Sequence, residues 1–94
     1  MLLYVAHNFQ NVESAKKTMH KLQTADFDNV YVSPALLFDH IVGLVPVDVY
    51  ADLCVDVMIM CDKCLVFENS GVSSYEQDYI SRVSMEVEKI GNPE

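Results

Sequence analysis

Basic residues are scarce in this chain. Six Lys and Arg stand against fourteen Asp and Glu in 94 residues, a formal charge of −8. Nucleic-acid affinity comes largely from Lys and Arg displacing phosphate counterions. Lys16, Lys17, Lys21, Lys63, Arg82 and Lys89 form no long cluster, so nucleic acid is not an expected partner. Long apolar runs are also missing. Nothing approaches the roughly 18–20 residues of a membrane span, so no membrane partner is expected. The opening MLLYVA passes directly into polar HNFQN, unlike a signal peptide, and the cytoplasm is the expected compartment. Three cysteines at irregular spacing do not make a secreted disulfide framework. Repeats, low-complexity tracts and linkers are absent as well. With 51% hydrophobic and 21% charged residues, the composition is that of one small globular domain over residues 1–94.

What is present alternates between strand and helix signals. Leu2 to Ala6 is a short continuous apolar run, as expected of a strand buried on both faces. His7 to Asn11 is a turn in which Asn8 or Asn11 can cap a helix. Val12, Ala15, Met19 and Leu22 then recur at helical spacing, and that helix should end near residues 24–28. Val30-Tyr31-Val32 is a second strand, stopped by Ser33-Pro34. Residues 34–46 are apolar but broken by two prolines and a glycine, which predicts a loop with a short helical turn over the sheet's carboxyl edge.

Residues 47–61 predict a second long helix with Asp48, Asp52 and Asp56 in one stripe and apolar side chains over most of the rest. Such a helix is buried on more than one side, and in so small a domain a partner subunit is the expected second cover. The expectation is a homo-oligomer through helix 47–61. Cys64 to Phe67 is a third strand. Ser73-Ser74-Tyr75-Glu76 fits the S-x-x-E capping box, and Ile80, Val83, Val87 and Ile90 continue at helical spacing to Gly91-Asn92-Pro93. The order β-α-β-loop-α-β-α implies a parallel sheet with right-handed crossovers.

The turn after the third strand carries the best candidate site. Ser70, Gly71, Ser73 and Ser74 lead into a helix start, where free N–H groups and hydroxyls can hold an anion or sugar hydroxyls. Glu76 lies in line with Ile80 and Val83, so it should project toward the sheet, where partial burial tunes a carboxylate as nucleophile or acid/base. Ordinary capping also explains it. Cys61-Asp62-Lys63-Cys64 closes a helix rather than opening one, the wrong dipole sign for a reactive thiol, and reads as core. The aspartate stripe lacks a second ligand-bearing segment for a metal, and His20 and His40 have no metal spacing. No cofactor or metal is expected. His7, just beyond the first strand, is the histidine placed where ligands bind.

These residues resemble the nucleoside 2-deoxyribosyltransferase-like proteins. Tyr4-Val5-Ala6 resembles their Y-x-A opening. Cys61-Asp62, an apolar strand, Ser70-Gly71-Val72 and a helix with an early Glu resemble their second motif, and Gly91-Asn92-Pro93 their closing G-x-P. Ser33-Pro34 is similar to a small branch of that superfamily. The resemblance implies a three-layer, flavodoxin- or Rossmann-like α/β fold, here without the last strand, which would leave the third strand an exposed edge. It also implies a nucleoside or nucleotide ligand whose N-glycosidic bond is cleaved or exchanged. Glu76 would attack the anomeric carbon, and Tyr4, His7, Asn8, Ser70, Gly71, Ser73 and Ser74 would bind the substrate. The family's helical aspartate falls at Cys54, between Asp52 and Asp56, and Asp56 is the candidate second catalytic carboxylate. Glu86 is the rival to Glu76, about 80° off the apolar stripe. A non-catalytic oligomeric interaction module is the alternative.

Overall fold

The computed structural model describes residues 1–6, 12–68 and 71–91. A parallel sheet of four strands in the order β2-β1-β3-β4 forms its centre. The strands are β1 (Leu2–Ala6), β2 (Val30–Val32), β3 (Lys63–Phe67) and β4 (Val87–Ile90). Helix α1 (Val12–Ala25) links β1 to β2, and α3 (Val47–Ile59) leads into β3. Helix α4 (Ser74–Val83) links β3 to β4. The α/β class and parallel topology are therefore as the sequence implies.

Strand alternation divides the core into two. Tyr4, Ala6, Cys64 and Val66 face Val57 and Met58 of α3 and Ile80 of α4. Leu3, Val5, Leu65 and Phe67 face Met19 and Leu22 of α1. Two helices cover the first face and one the second, as right-handed crossovers require when β1 has neighbours on both sides.

Residues 34–46 fold into a four-residue helix α2 (Pro34–Leu37), a 3-10 turn (Asp39–Ile41) and further turns. Ser33 caps α2 through its side chain, and Pro34 takes the position where a missing N–H costs nothing. Leu36 packs on the α1 side of the sheet and Phe38 on the α3 side. The segment thus wraps the end of the sheet, as its apolar content predicts.

The largest correction is at the carboxyl end. The spacing of Ile80, Val83, Val87 and Ile90 reads as one helix to residue 90, but α4 stops at Val83. Ser84 takes a left-handed conformation (φ 54°), its N–H donates to the Ile80 carbonyl, and Met85 N–H meets the same oxygen. The chain then forms β4 alongside β3, from Cys64 beside Val87 to Phe67 beside Ile90. The fold does have a fourth strand, and β3 is an interior strand rather than an edge.

Candidate functional site

Tyr4 stands at the middle of β1, with Val32 of β2 on one side and Cys64 of β3 on the other. Its ring is fully buried on the α3/α4 face, and its hydroxyl donates to the Glu76 carboxylate. Glu76 is the third residue of α4. Its other oxygen accepts from the Ser73 N–H at 2.8 Å, while the Glu76 N–H donates to Ser73 Oγ at 3.2 Å. That is the capping box the sequence predicts, and it aims the rest of the carboxylate at the sheet. Both expectations for Glu76, capping and projection inward, hold at once.

Around this pair the structure gathers phenols and thiols. Cys54 of α3 is buried, with its thiol close to the Tyr4 and Tyr50 hydroxyls. Burial first, then the Glu76 charge, pushes that thiol up to about 11. Cys64 is pushed up to about 12, again by burial and then Glu76. The Tyr4 phenol is driven far above its ordinary 10.0 by burial and next by Glu76. Tyr50 is raised by burial and by Cys54. These groups stay protonated at neutral pH, so the thiols are not the reactive nucleophiles of the cluster. Tyr50 also stacks edge-on with Phe38, with ring centroids 6.2 Å apart at 76°. Residues 34–46 thereby supply one wall of the site.

The other expected site residues distribute as follows. Gly71, Ser73 and Ser74 are exposed at the start of α4, and a side chain at Gly71 would meet open space. Asp56 does not join Glu76: it lies two positions past Cys54, about 200° around the helix, and is exposed. The residue facing Glu76 from α3 is Cys54, which replaces Asp56 in the site. Glu86 is corrected too, since it precedes β4 at the sheet's amino end, 3.6 Å from Lys63 Nζ. His7, Asn8 and Ser70 lie outside the described residues. Tyr50 and Phe38 are additions that sequence reasoning missed. Tyr50 could have been found from its i,i+4 relation to Cys54 on the inward stripe of α3; Phe38 had no such signal.

The three cysteines are free, with Cys54 and Cys64 buried and Cys61 partly so. Among the described residues no three His, Cys, Asp or Glu side chains are grouped to hold a metal ion. No helix among them is long and apolar enough to cross a membrane. On the opposite face of the sheet a groove of about 560 Å³ runs beside α1, floored by Leu3, Leu65 and Phe67 and bordered by Tyr31, Lys63 and Ile90. None of Tyr4, Cys54, Cys64 and Glu76 lines it. Comparison with family models, curated proteins and solved structures finds no match for the chain.

Proposed function

We propose that the protein binds a nucleoside or nucleotide at the sheet's carboxyl edge and that Glu76 acts on its N-glycosidic bond. The observation that carries the reading is the carboxylate itself. It is oriented by Ser73 and Tyr4, and it sits among protonated phenols and thiols at a helix start beyond a strand's carboxyl end. In the proposed step a Glu76 oxygen attacks the anomeric carbon while the C–N bond breaks and the base leaves with the bonding pair. Water, or a second base, then attacks the same carbon, its proton passing to the departed base, and releases the carboxylate. Tyr4 positions Glu76, and the Phe38–Tyr50 pair offers an aromatic surface for a base.

The test is free-base release from deoxynucleosides and their monophosphates by the wild type and by Glu76→Gln. The amide keeps the size and the capping geometry but cannot act as the nucleophile. Release by the wild type that falls at least a hundredfold in Glu76→Gln is expected. No release by the wild type, together with no nucleotide-induced shift in melting temperature, overturns the reading. The second reading, a non-catalytic module that assembles through α3, is favoured by Val49, Ile59 and Met60, which remain 42%, 55% and 65% exposed.

A further inference from the structure

The two faces of the sheet are covered unequally. Helices α3 and α4 lie over one face, whereas α1 is the long helix on the other. What α1 leaves open is the groove of about 560 Å³, a size usual for small-ligand pockets. Its floor of Leu3, Leu65 and Phe67 is apolar, with Leu22 of α1 and Ile90 of β4 also lining it. Apolar surface alone does not name an occupant. Two polar side chains of α1 narrow the choice.

Thr18 is only 7% exposed, and it lines the groove. A threonine inside a helix can donate its hydroxyl to the carbonyl three or four residues back. Thr24 does so, to the His20 carbonyl at 2.7 Å. Thr18 does not, and among the described residues its Oγ1 has no hydrogen-bond partner. A buried hydroxyl left unpaired costs free energy, so it marks a place for a further partner. Lys21 lies three residues on, on the same side of α1, and lines the groove too. Its ammonium belongs to none of the ion pairs among the described residues. The acids at the groove are already met. Asp26 accepts from Asn29 Nδ2 at 2.7 Å, the Tyr31 hydroxyl at 2.8 Å and the Asp28 N–H at 2.9 Å. Glu88 accepts from Lys63 Nζ at 2.7 Å. A hydroxyl and a cation, one helical turn apart, are thus left uncommitted beside an apolar floor.

We propose that this groove binds a small monocarboxylate with an apolar body. The carboxylate accepts from the Thr18 hydroxyl and the Lys21 ammonium, and the body lies on Leu65, Phe67 and Ile90. Charge separates this class of ligand from the others. A cation would meet Lys21 and find no acid free to answer it. A purely apolar molecule would fill the floor but leave Thr18 unpaired. One negative charge matches the one uncommitted ammonium, in a charge-assisted contact. The site lies on the face away from Glu76 and does not depend on the chemistry assigned there.

The test is calorimetric titration of the protein with octanoate, with 1-octanol and acetate as partial probes. Saturable binding of octanoate is expected, with octanol about tenfold weaker and acetate not bound. Thr18→Val and Lys21→Met keep the bulk of their side chains and remove the hydroxyl and the charge. Each should weaken octanoate about tenfold, and Lys21→Met should leave octanol unchanged. Without ligand, Thr18→Val should melt no lower than the wild type, because the hydroxyl it removes has no partner. Absence of saturable octanoate binding overturns the proposal. So does equal affinity for octanol, or an octanoate affinity that neither variant changes. A markedly lower melting temperature for ligand-free Thr18→Val overturns it as well, since water or the protein then already holds the hydroxyl. A dimer in light scattering that octanoate leaves intact, with no heat of binding, gives the groove to a second copy instead.

Discussion

Each face of the sheet carries a tyrosine bonded to a carboxylate, and the two pairs live under opposite conditions. On the α3/α4 face, Tyr4 is fully buried and meets Glu76 at the end of a helix that arrives from another part of the chain. On the α1 face, Tyr31 reaches Asp26, five residues away, at 2.8 Å on the rim of an open groove. The chemistry of the contact is the same. What differs is how much water can replace it. A buried hydroxyl or carboxylate that loses its partner bears its full desolvation cost, whereas a rim group recovers a hydrogen bond from solvent. The first pair therefore has the means to hold a carboxylate in place, and the second serves to close a local turn.

The sharpest way to break this comparison is Tyr4→Phe, which keeps the ring and removes the hydroxyl. A loss of about 2 kcal/mol in urea-melt stability at neutral pH is expected, because one Glu76 oxygen then faces an apolar ring. The alkaline limb should change as well. The native phenol titrates far above its ordinary 10.0, so the native state prefers the proton, and the stability tied to it is complete below pH 10 and lost as pH rises above it. Stability measured from pH 8 upward should therefore fall less steeply in the variant. Cys64 contributes equally in both proteins from its ordinary 9.0 upward, but Cys54 loses its Tyr4 neighbour in the variant, so the comparison is made in a Cys54→Ala background to isolate Tyr4. An unchanged alkaline limb would mean that the Tyr4 hydroxyl is not buried against Glu76 in solution.

The two pairs also differ in how legible they were. That Glu76 would cap α4 and point at the sheet follows from a local motif and a helical angle, both written within ten residues. That its partners would be Tyr4 and Cys54 depends on how α3 and α4 settle side by side over β1, which no local pattern encodes. The Cys54 position was legible only as the place where an acid was missing. The fourth strand failed for a different reason. Val83, Val87 and Ile90 satisfy a helical period and a strand's apolar needs equally well, and the residue that ends α4 is a serine in a left-handed conformation. Glycine or asparagine there would have announced the stop; serine gave no warning. The segment 34–46 was legible because prolines, a glycine and apolar side chains leave few other ways to bury so much of it.

A second experiment compares the two outer strands. Gln23 of α1 bonds the outward backbone of β2, whereas among the described residues no side chain bonds the outward Val87 and Lys89 groups of β4. Gln23→Ala deletes the carboxamide that accepts from Tyr31 and donates to Asn29, and that also donates to the Asp26 carbonyl at 2.9 Å. Because Gln23 is only half-buried, water takes over part of its role, and a cost of about 1 kcal/mol is expected. The more telling change is in amide hydrogen exchange. Tyr31 should exchange faster in the variant, approaching the rates of Val87 and Lys89 in a monomeric protein. If Tyr31 already exchanges as fast as they do in the wild type, the two edges are equivalent and the proposed contrast fails.

The smallest effect belongs to Tyr31→Phe. Asp26 is held below its ordinary 3.8 by its bond from Asn29 first, then by Tyr31, then by the Asp28 N–H. A carboxyl group with a depressed folded value favours the native state when ionised. Its contribution is complete above the ordinary carboxylate range and disappears as pH falls through the depressed value. Removing the Tyr31 hydroxyl takes away the second of three supports at an exposed site, so the neutral-pH melt should barely move. The acid limb between about pH 5 and pH 2 should become slightly shallower, and Asn29→Ala should flatten it more. The ordering is the point of the measurement. If Tyr31→Phe costs as much as Tyr4→Phe at neutral pH, water is excluded from the α1 rim as thoroughly as from the α3/α4 core. The groove would then be occupied in solution.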